Sequence, residues 1–510
     1  MNSHKQAVNE ISRDVKRFHE QRKPFRIYHG STNSTRQAGY RRDEMINVSA
    51  LTNILNVDRV KQVALVEPNV SMDRLIEATL PYRLIPPVVM EFPGITAGGG
   101  FSGTSGESSS FKYGFFDRTV NWIEIILPDG SIVTASNIDR PDLFHGAAAA
   151  YGTLGVITLL EVQLINAKTY VEITYYPVNS VAEAIRKLEE TAADSSTDYL
   201  DGILFSRDNG IICRGRLTDS LQDDTRIQRF LRKGDPWFYL HAKKFIKEKQ
   251  PKTEAIPLVD YIFRYDRGGF WVGRYAFKYF ATPFNRITRW VLDYFMHTRV
   301  MYHALHQSGH SKRYIIQDVA IPYPAAEEFV DFLDKDFGIY PVWLCPLRQR
   351  GQSVESAYGL LASKADPNLP EMLLNFGIWG PGPTNLDQFV TQNRKLEHKV
   401  QELNGQKWLY AHAYYTESEF WDIYDRKEYD ELRAKYNATH LPTIYDKVKV
   451  DLSGETKAIN DSWIAWLLAI FWGIWPLSGL YGVIQAAIGG DYLLVRESMW
   501  ERSSKLVAKK

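Results

Sequence analysis

The sequence is poor in cysteine, with Cys213 and Cys345 the only two among 510 residues. Two thiols so far apart make no disulfide framework, and they suit a reducing compartment. Charge of neither sign dominates: 61 Lys and Arg stand against 60 Asp and Glu. That balance gives no electrostatic case for a nucleic-acid partner. Metal-ligand patterns are also missing. His303, His306 and His310 have spacing that fits one helix face, but no HExxH or cysteine pair accompanies them, so no metal is expected. Gly103-Thr104-Ser105-Gly106 has the wrong spacing for a nucleophile elbow, which disfavours a hydrolase. Residues 1–24 hold no apolar run of the signal-peptide kind. Val8, Ile11, Val15 and Phe18 recur there at helical spacing instead, which predicts an amphipathic helix docked on the body. No internal repeat or low-complexity segment is present.

What the chain does have is a bare, glycine-rich stretch: Pro93-Gly94-Ile95-Thr96-Ala97-Gly98-Gly99-Gly100-Phe101-Ser102-Gly103-Thr104-Ser105-Gly106-Glu107-Ser108. Little Cβ bulk holds a ligand away from such a backbone, so its N–H groups can meet a flat or anionic molecule. Because glycine weakens both helix and strand, the stretch reads as a ligand-wrapping loop. Gly98, Gly100 and Gly103 formally satisfy GxGxxG. The dinucleotide fingerprint also requires a strand before it and a helix opening at its end. Pro93-Gly94 ends any strand, and Thr104 to Ser110 is poor helix material. A glycine-rich surface loop with no ligand is the bland alternative. The neighbouring segments favour a ligand. Phe25 to Arg36 is a short strand-like run entering a second small-residue turn, Gly30-Ser31-Thr32-Asn33-Ser34, which suits a pyrophosphate. Pro128-Asp129-Gly130 between Asn121–Leu127 and Ser131–Ala135 is a hairpin signature. Asp142 to Thr158 then reads as a short helix, a glycine turn and a strand continuing to Ile165.

In that order, these motifs resemble the FAD-binding domain of the vanillyl-alcohol oxidase and p-cresol methylhydroxylase superfamily. Within it, the chain is similar to the Δ24-sterol reductase group. Gly106-Glu107-Ser108-Ser109-Ser110-Phe111-Lys112-Tyr113-Gly114 and Asp142-Leu143-Phe144 carry the likeness in the first part. Gln317-Asp318, Tyr340 to Pro346, Leu409-Tyr410-Ala411, Phe420-Trp421 and Tyr445-Asp446-Lys447 extend it. The resemblance implies an α+β protein. It has a two-part FAD-binding domain of the p-cresol methylhydroxylase type over residues 25–169 and a mixed α/β substrate or cap domain over 170–450, whose final portion returns to the flavin domain. The implied cofactor sites are Gly30, Ser31, Thr32, Asn33, Ser34, the run from Thr96 to Ser108, Gly155, Val156 and Ile157. Many superfamily members tether flavin through a histidine in the first turn. Here Ser31-Thr32-Asn33 occupies that place and His29 precedes it, so FAD is expected to be non-covalent.

The implied activity is reduction of a sterol side-chain Δ24 double bond, with NADPH as electron donor and FAD passing the hydride. An unactivated alkene also needs a proton donor and a water-poor pocket. Tyr113, Asp318, Tyr265 and Tyr410 are the candidate donors. Glu107 and Lys112 sit beside the expected cofactor, either as functional groups or as a cap and a surface charge. The alternative within the superfamily is oxidation of a sugar lactone, alcohol or secondary metabolite. Lastly, residues 463–490 carry no charged residue up to Gly490. The run is long enough to span a bilayer, and Pro476 also permits a re-entrant hairpin. A membrane-associated C-terminus is therefore expected, at the endoplasmic reticulum with the flavin domain facing the cytosol. Asn33-Ser34-Thr35 formally matches a glycosylation site, and its place in the expected FAD turn agrees with a cytosolic face.

Overall fold

The computed structural model describes residues 2–30, 40–349, 370–450 and 475–489. The predicted N-terminal helix is Asn2–Glu20, and it buries Val8, Ile11, Val15 and Phe18. Its first turn is also anchored by a polar contact, because His4 Nδ1 meets Glu67 Oε1 at 2.7 Å.

The first layer is a five-stranded antiparallel sheet. Its order is Ile54–Asp58, Val63–Val66, Val156–Gln163, Val120–Ile126 and Ile132–Ser136. The last two strands form the predicted hairpin. Asp129 Oδ1 accepts from the Ser131 amide at 2.9 Å, and Gly130 takes the φ of +89° that the turn needs. Every ladder in this sheet is antiparallel, so no βαβ unit exists there to support a Rossmann reading of the glycines.

One expectation is overturned. The glycine stretch contains a helix, Ala97–Gly103. Thr96 caps it by accepting from the Gly99 amide at 3.1 Å, and Thr104 ends it in the left-handed region at φ +46°. Propensity loses here because tertiary contact holds the segment: Ala97, Gly100, Phe101 and Gly103 are buried.

The second layer is an eight-stranded antiparallel sheet. Its order is Lys252–Pro257, Tyr170–Val178, Asn209–Thr218, Tyr199–Ser206, Val342–Arg348, Met372–Pro381, Tyr314–Pro322 and Gln406–Lys407. Helices Val181–Ala193, Ala326–Asp336 and Leu386–Glu402 cover one face. Alternation then divides the strands. Ile315, Val319, Ile321, Leu344, Leu374, Phe376 and Ile378 pack in one core with those helices. Ile316, Asp318, Trp343, Leu347, Asn375 and Trp379 point to the opposite side, into a cavity shared with the first layer.

The two layers are tied at several points. Arg299 Nη1 donates to Asp73 Oδ2 at 2.6 Å. Trp408 Nε1 donates to the Thr104 carbonyl at 2.8 Å. Past Trp408 the chain returns to the first layer, where Tyr429 Oη donates to Thr153 Oγ1 at 2.8 Å and Tyr436 Oη to Asp142 at 2.9 Å.

Residues 463–474 of the expected membrane segment lie outside the described residues, as does Gly490. Within it, Leu477–Gly489 is a helix. Among the described residues no helix is long and apolar enough to cross a membrane. Cys213 and Cys345 are both buried and free.

A buried ion pair supports the sheet edge. Lys407 Nζ lies 2.8 Å from Glu397 Oε1, with each side chain 1% exposed. Replacing Lys407 with Met strands the Glu397 carboxylate and is expected to cost about 3–5 kcal/mol in denaturant unfolding. A loss below about 1 kcal/mol, the range of a surface pair, contradicts this.

Candidate functional site

A single cavity of about 730 Å³ runs from the glycine helix to helix Leu477–Gly489. At its first-layer end it is lined by Thr96, Gly98, Gly99, Ser102, Gly103, Ser105, Gly106 and Glu107. The remaining residues of the run serve the fold. Ala97 and Phe101 are core residues, and Thr104 and Ser108 are buried. A Cβ on Gly100 would strike Met90 Cε at 2.4 Å. At Gly103, by contrast, an added Cβ would meet only Ser105 Oγ, at 3.6 Å. Bare backbone thus faces open cavity, which is what close approach of a flat cofactor requires.

A second wall comes from the turn after residue 148. Ala149 and Tyr151 take φ values of +62° and +51° without being glycine, followed by Gly152 at +77° and Gly155 at +150°. Non-glycine residues held in that region are strained, and such strain collects at ligand sites. Tyr151, Gly152, Gly155 and Ile157 line the cavity, whereas Val156 is core. Two cations, Arg26 and Lys447, also line this end and suit a pyrophosphate. His29 lines it too, and burial first, then Lys447, pushes its pKa down. Gly30 precedes the small-residue turn with φ +73°; Ser31, Thr32, Asn33 and Ser34 lie outside the described residues. The residues present fit FAD.

The other end is apolar and aromatic. Phe270, Trp343 and Trp379 form one wall, with Phe270 and Trp379 centroids 4.4 Å apart. Phe277, Phe295, Leu305 and Val483 continue it. Asp318 opens into this region although it is only 5% exposed. Its Oδ1 accepts from Asn375 Nδ2 at 3.0 Å, and its Oδ2 accepts from Trp379 Nε1 at 3.3 Å and from the Tyr410 hydroxyl. Burial pushes its pKa up to about 7, against the pull of the Asn375 and Trp379 hydrogen bonds. Asp318 is therefore poised between acid and carboxylate at neutral pH.

Of the four candidate donors, Asp318 and Tyr410 share this cavity and touch each other. The other two do not line it. Tyr265 is buried, stacked on Phe270 at 3.9 Å, with its hydroxyl donating to Asp201 Oδ2 at 2.8 Å. Tyr113 lies half-buried beside Lys112, and Lys112 pairs with Asp198 at 2.8 Å.

The sequence reading missed Glu91. It lines the cavity next to Glu107, and Arg264 Nη2 lies 3.2 Å from its Oε1. Burial raises the Glu91 pKa to about 7. Burial and then the Glu91 charge raise Glu107 well above the usual carboxylate range. Nothing in the motif spacing pairs Glu91 with Glu107; only the fold does. Lys447 and Tyr151 lie in stretches that the sequence singled out, but the fold alone brings them together from 296 residues apart.

The chain matches the model of a family described as FAD binding domain over residues 6–136. It is 28% identical to a Homo sapiens protein named Delta(24)-sterol reductase, over 87% of this chain and 86% of that protein. A protein of the same name from Pisum sativum is 29% identical over 79% of this chain and 76% of its own length. Cytokinin dehydrogenase 9 of Oryza sativa is 29% identical over 33% of each chain.

The purified protein should be yellow and release FAD on acid denaturation, whereas flavin retained by the precipitate would show a covalent link. Gly103→Val projects bulk into the open cavity without an internal clash. It should leave the protein folded and weaken FAD binding by about 1.4–2.8 kcal/mol, roughly ten- to hundredfold. Unchanged flavin affinity would remove the glycine helix from the cofactor site. Together, the cradle, the domain match and the relatives identify the chain as an FAD-dependent oxidoreductase that resembles Delta(24)-sterol reductases along most of its length.

Proposed function

We propose that the protein reduces the Δ24 side-chain double bond of a sterol, with NADPH as electron donor. The observation that carries this reading is Asp318: a protonatable acid, buried among aromatic rings, in the same cavity as the flavin cradle. Bound FAD, once reduced by NADPH, would supply the hydride. The Gly98–Glu107 segment, the Tyr151–Ile157 turn, Arg26 and Lys447 hold it. Phe270, Trp343 and Trp379 keep water from the alkene and favour an apolar substrate over a sugar lactone.

Asp318 supplies the proton. It goes to the less substituted alkene carbon, so that positive charge falls on the tertiary carbon, where the hydride is received. The resulting Asp318 carboxylate is held by the donors already in place, Asn375, Trp379 and Tyr410. Those donors favour the charged form, so loss of the proton needs little rearrangement. The protein works at a membrane, attached through its C-terminal stretch. The endoplasmic reticulum, with the flavin domain on the cytosolic side, is the proposed location. The apolar nature of the substrate and the uncharged run that ends near Gly490 support this.

Asp318→Asn should retain flavin and lose about 10²–10⁴-fold in anaerobic NADPH-driven turnover of a Δ24 sterol. Because the acid form is the active one, wild-type turnover should fall as pH rises through about 7. The Asn variant's residual rate should lack that limb. Hydrogen peroxide formed from a lactone or alcohol, with no sterol reduced, would favour the oxidase alternative.

A further inference from the structure

Two short helices at the far end of the cavity are built inside out. Helix Arg286–Val291 has no buried residue. Its apolar residues Ile287, Trp290 and Val291 fall at i, i+3 and i+4, and they are 73%, 51% and 56% exposed. A helix of a water-soluble body turns such a stripe inward. Helix Leu477–Gly489 behaves alike. Its small residues Ser478, Gly479, Gly482 and Ala486 are the buried ones. A Cβ on Gly482 would meet the Ala304 carbonyl at 2.4 Å, so this face lies flat on helix Thr298–Gln307. Leu480, Ile484 and Ile488, at i, i+4 and i+8, are 46%, 54% and 72% exposed.

Both helices border the same end of the cavity. Phe280 and Leu292, which flank the first helix, line it together with Leu480 and Val483 of the second. The chain just before each helix is also joined, since Trp475 Nε1 donates to the Tyr279 carbonyl at 2.6 Å. Leu480 both lines the cavity and is 46% exposed, so the apolar interior is continuous with the apolar exterior here. The first helix and the segment leading into it carry charges of one sign. Residues 278–291 contain Lys278, Arg286 and Arg289 and no acid. Lys233 Nζ sits 4.0 Å over the Trp290 ring. Helix Leu477–Gly489 has no charge.

We propose that this surface docks on a lipid bilayer containing anionic headgroups, and that substrate enters the cavity from the lipid between the two helices. Apolar side chains beside tryptophans, with lysine and arginine next to the first helix's stripe, are the pattern of an interfacial helix. Helix Arg286–Val291 is then a second attachment point, distant in sequence from the C-terminal run. The inference rests on the sterol reading only for what enters, not for where the protein binds.

The test uses full-length, flavin-loaded protein and vesicles of phosphatidylcholine with or without phosphatidylserine. Wild type should co-float with the vesicles, more so with phosphatidylserine. The Ile287→Ser/Trp290→Ser/Val291→Ser variant should bind about tenfold or more weakly. Its turnover of vesicle-dissolved sterol should fall in parallel, with flavin content and turnover of detergent-dispersed sterol unchanged. A variant that floats like wild type overturns the proposal. So does one that changes only the oligomeric state, since the face then belongs to a second copy. If wild type turns over no sterol even in detergent, the reading of the reaction fails, while the flotation result still decides the surface.

Discussion

Strands Tyr314–Pro322, Val342–Arg348 and Met372–Pro381 lie side by side. Each must satisfy two environments at once. Every second residue packs under the helices, and the alternate residues face the cavity. That period of two places Asp318, Asn375, Trp343 and Trp379 on one wall although they are up to 61 residues apart. A one-residue register slip would bury Val319 and Phe376 in the cavity and turn the acid into the helical core. The chemistry of the site therefore depends on strand register more than on any single contact.

Desolvation is the second constraint. Asp318 and Glu91 are raised to about 7 and Glu107 well above the usual carboxylate range, and burial is the largest cause for each. Their partners differ, and so do their roles. Asp318 faces neutral donors that can hold a carboxylate once a proton leaves. Glu91 and Glu107 face each other, with Arg264 and Asp201 behind Glu91. Two carboxyls so close cannot both ionise cheaply, so the pair keeps a proton beside the cofactor end of the cavity.

Much of the first layer was legible in sequence. Hairpin chemistry at Asp129-Gly130 and the helical spacing of Val8, Ile11, Val15 and Phe18 are local signals, and both elements form as expected. The glycine stretch was legible as a ligand-facing backbone but not as a helix, because propensity is weak beside the packing of Phe101 and Ala97. Asp318 and Tyr410 were found through resemblance, and the fold gives them a shared hydrogen bond. Tyr113 came from the same resemblance and Tyr265 from an aromatic-rich stretch, and neither lines the cavity. Residue type cannot distinguish a tyrosine that lines a cavity from one whose hydroxyl is held by Asp201. Glu91 depends on long-range closure, for which spacing carries no signal; Lys447 and the turn before Gly152 lay in stretches that the sequence singled out, but their meeting at one wall comes only from the fold.

The most direct measurement is an anaerobic single turnover. Flavin on the purified protein is reduced photochemically, mixed with a Δ24 sterol without NADPH, and followed by absorbance at several pH values. Reoxidation of the flavin with stoichiometric loss of the alkene, slowing as pH rises through about 7, is the expected result. A flavin that stays reduced in the presence of the sterol, yet reoxidises at once with oxygen, contradicts a cavity built for alkene reduction.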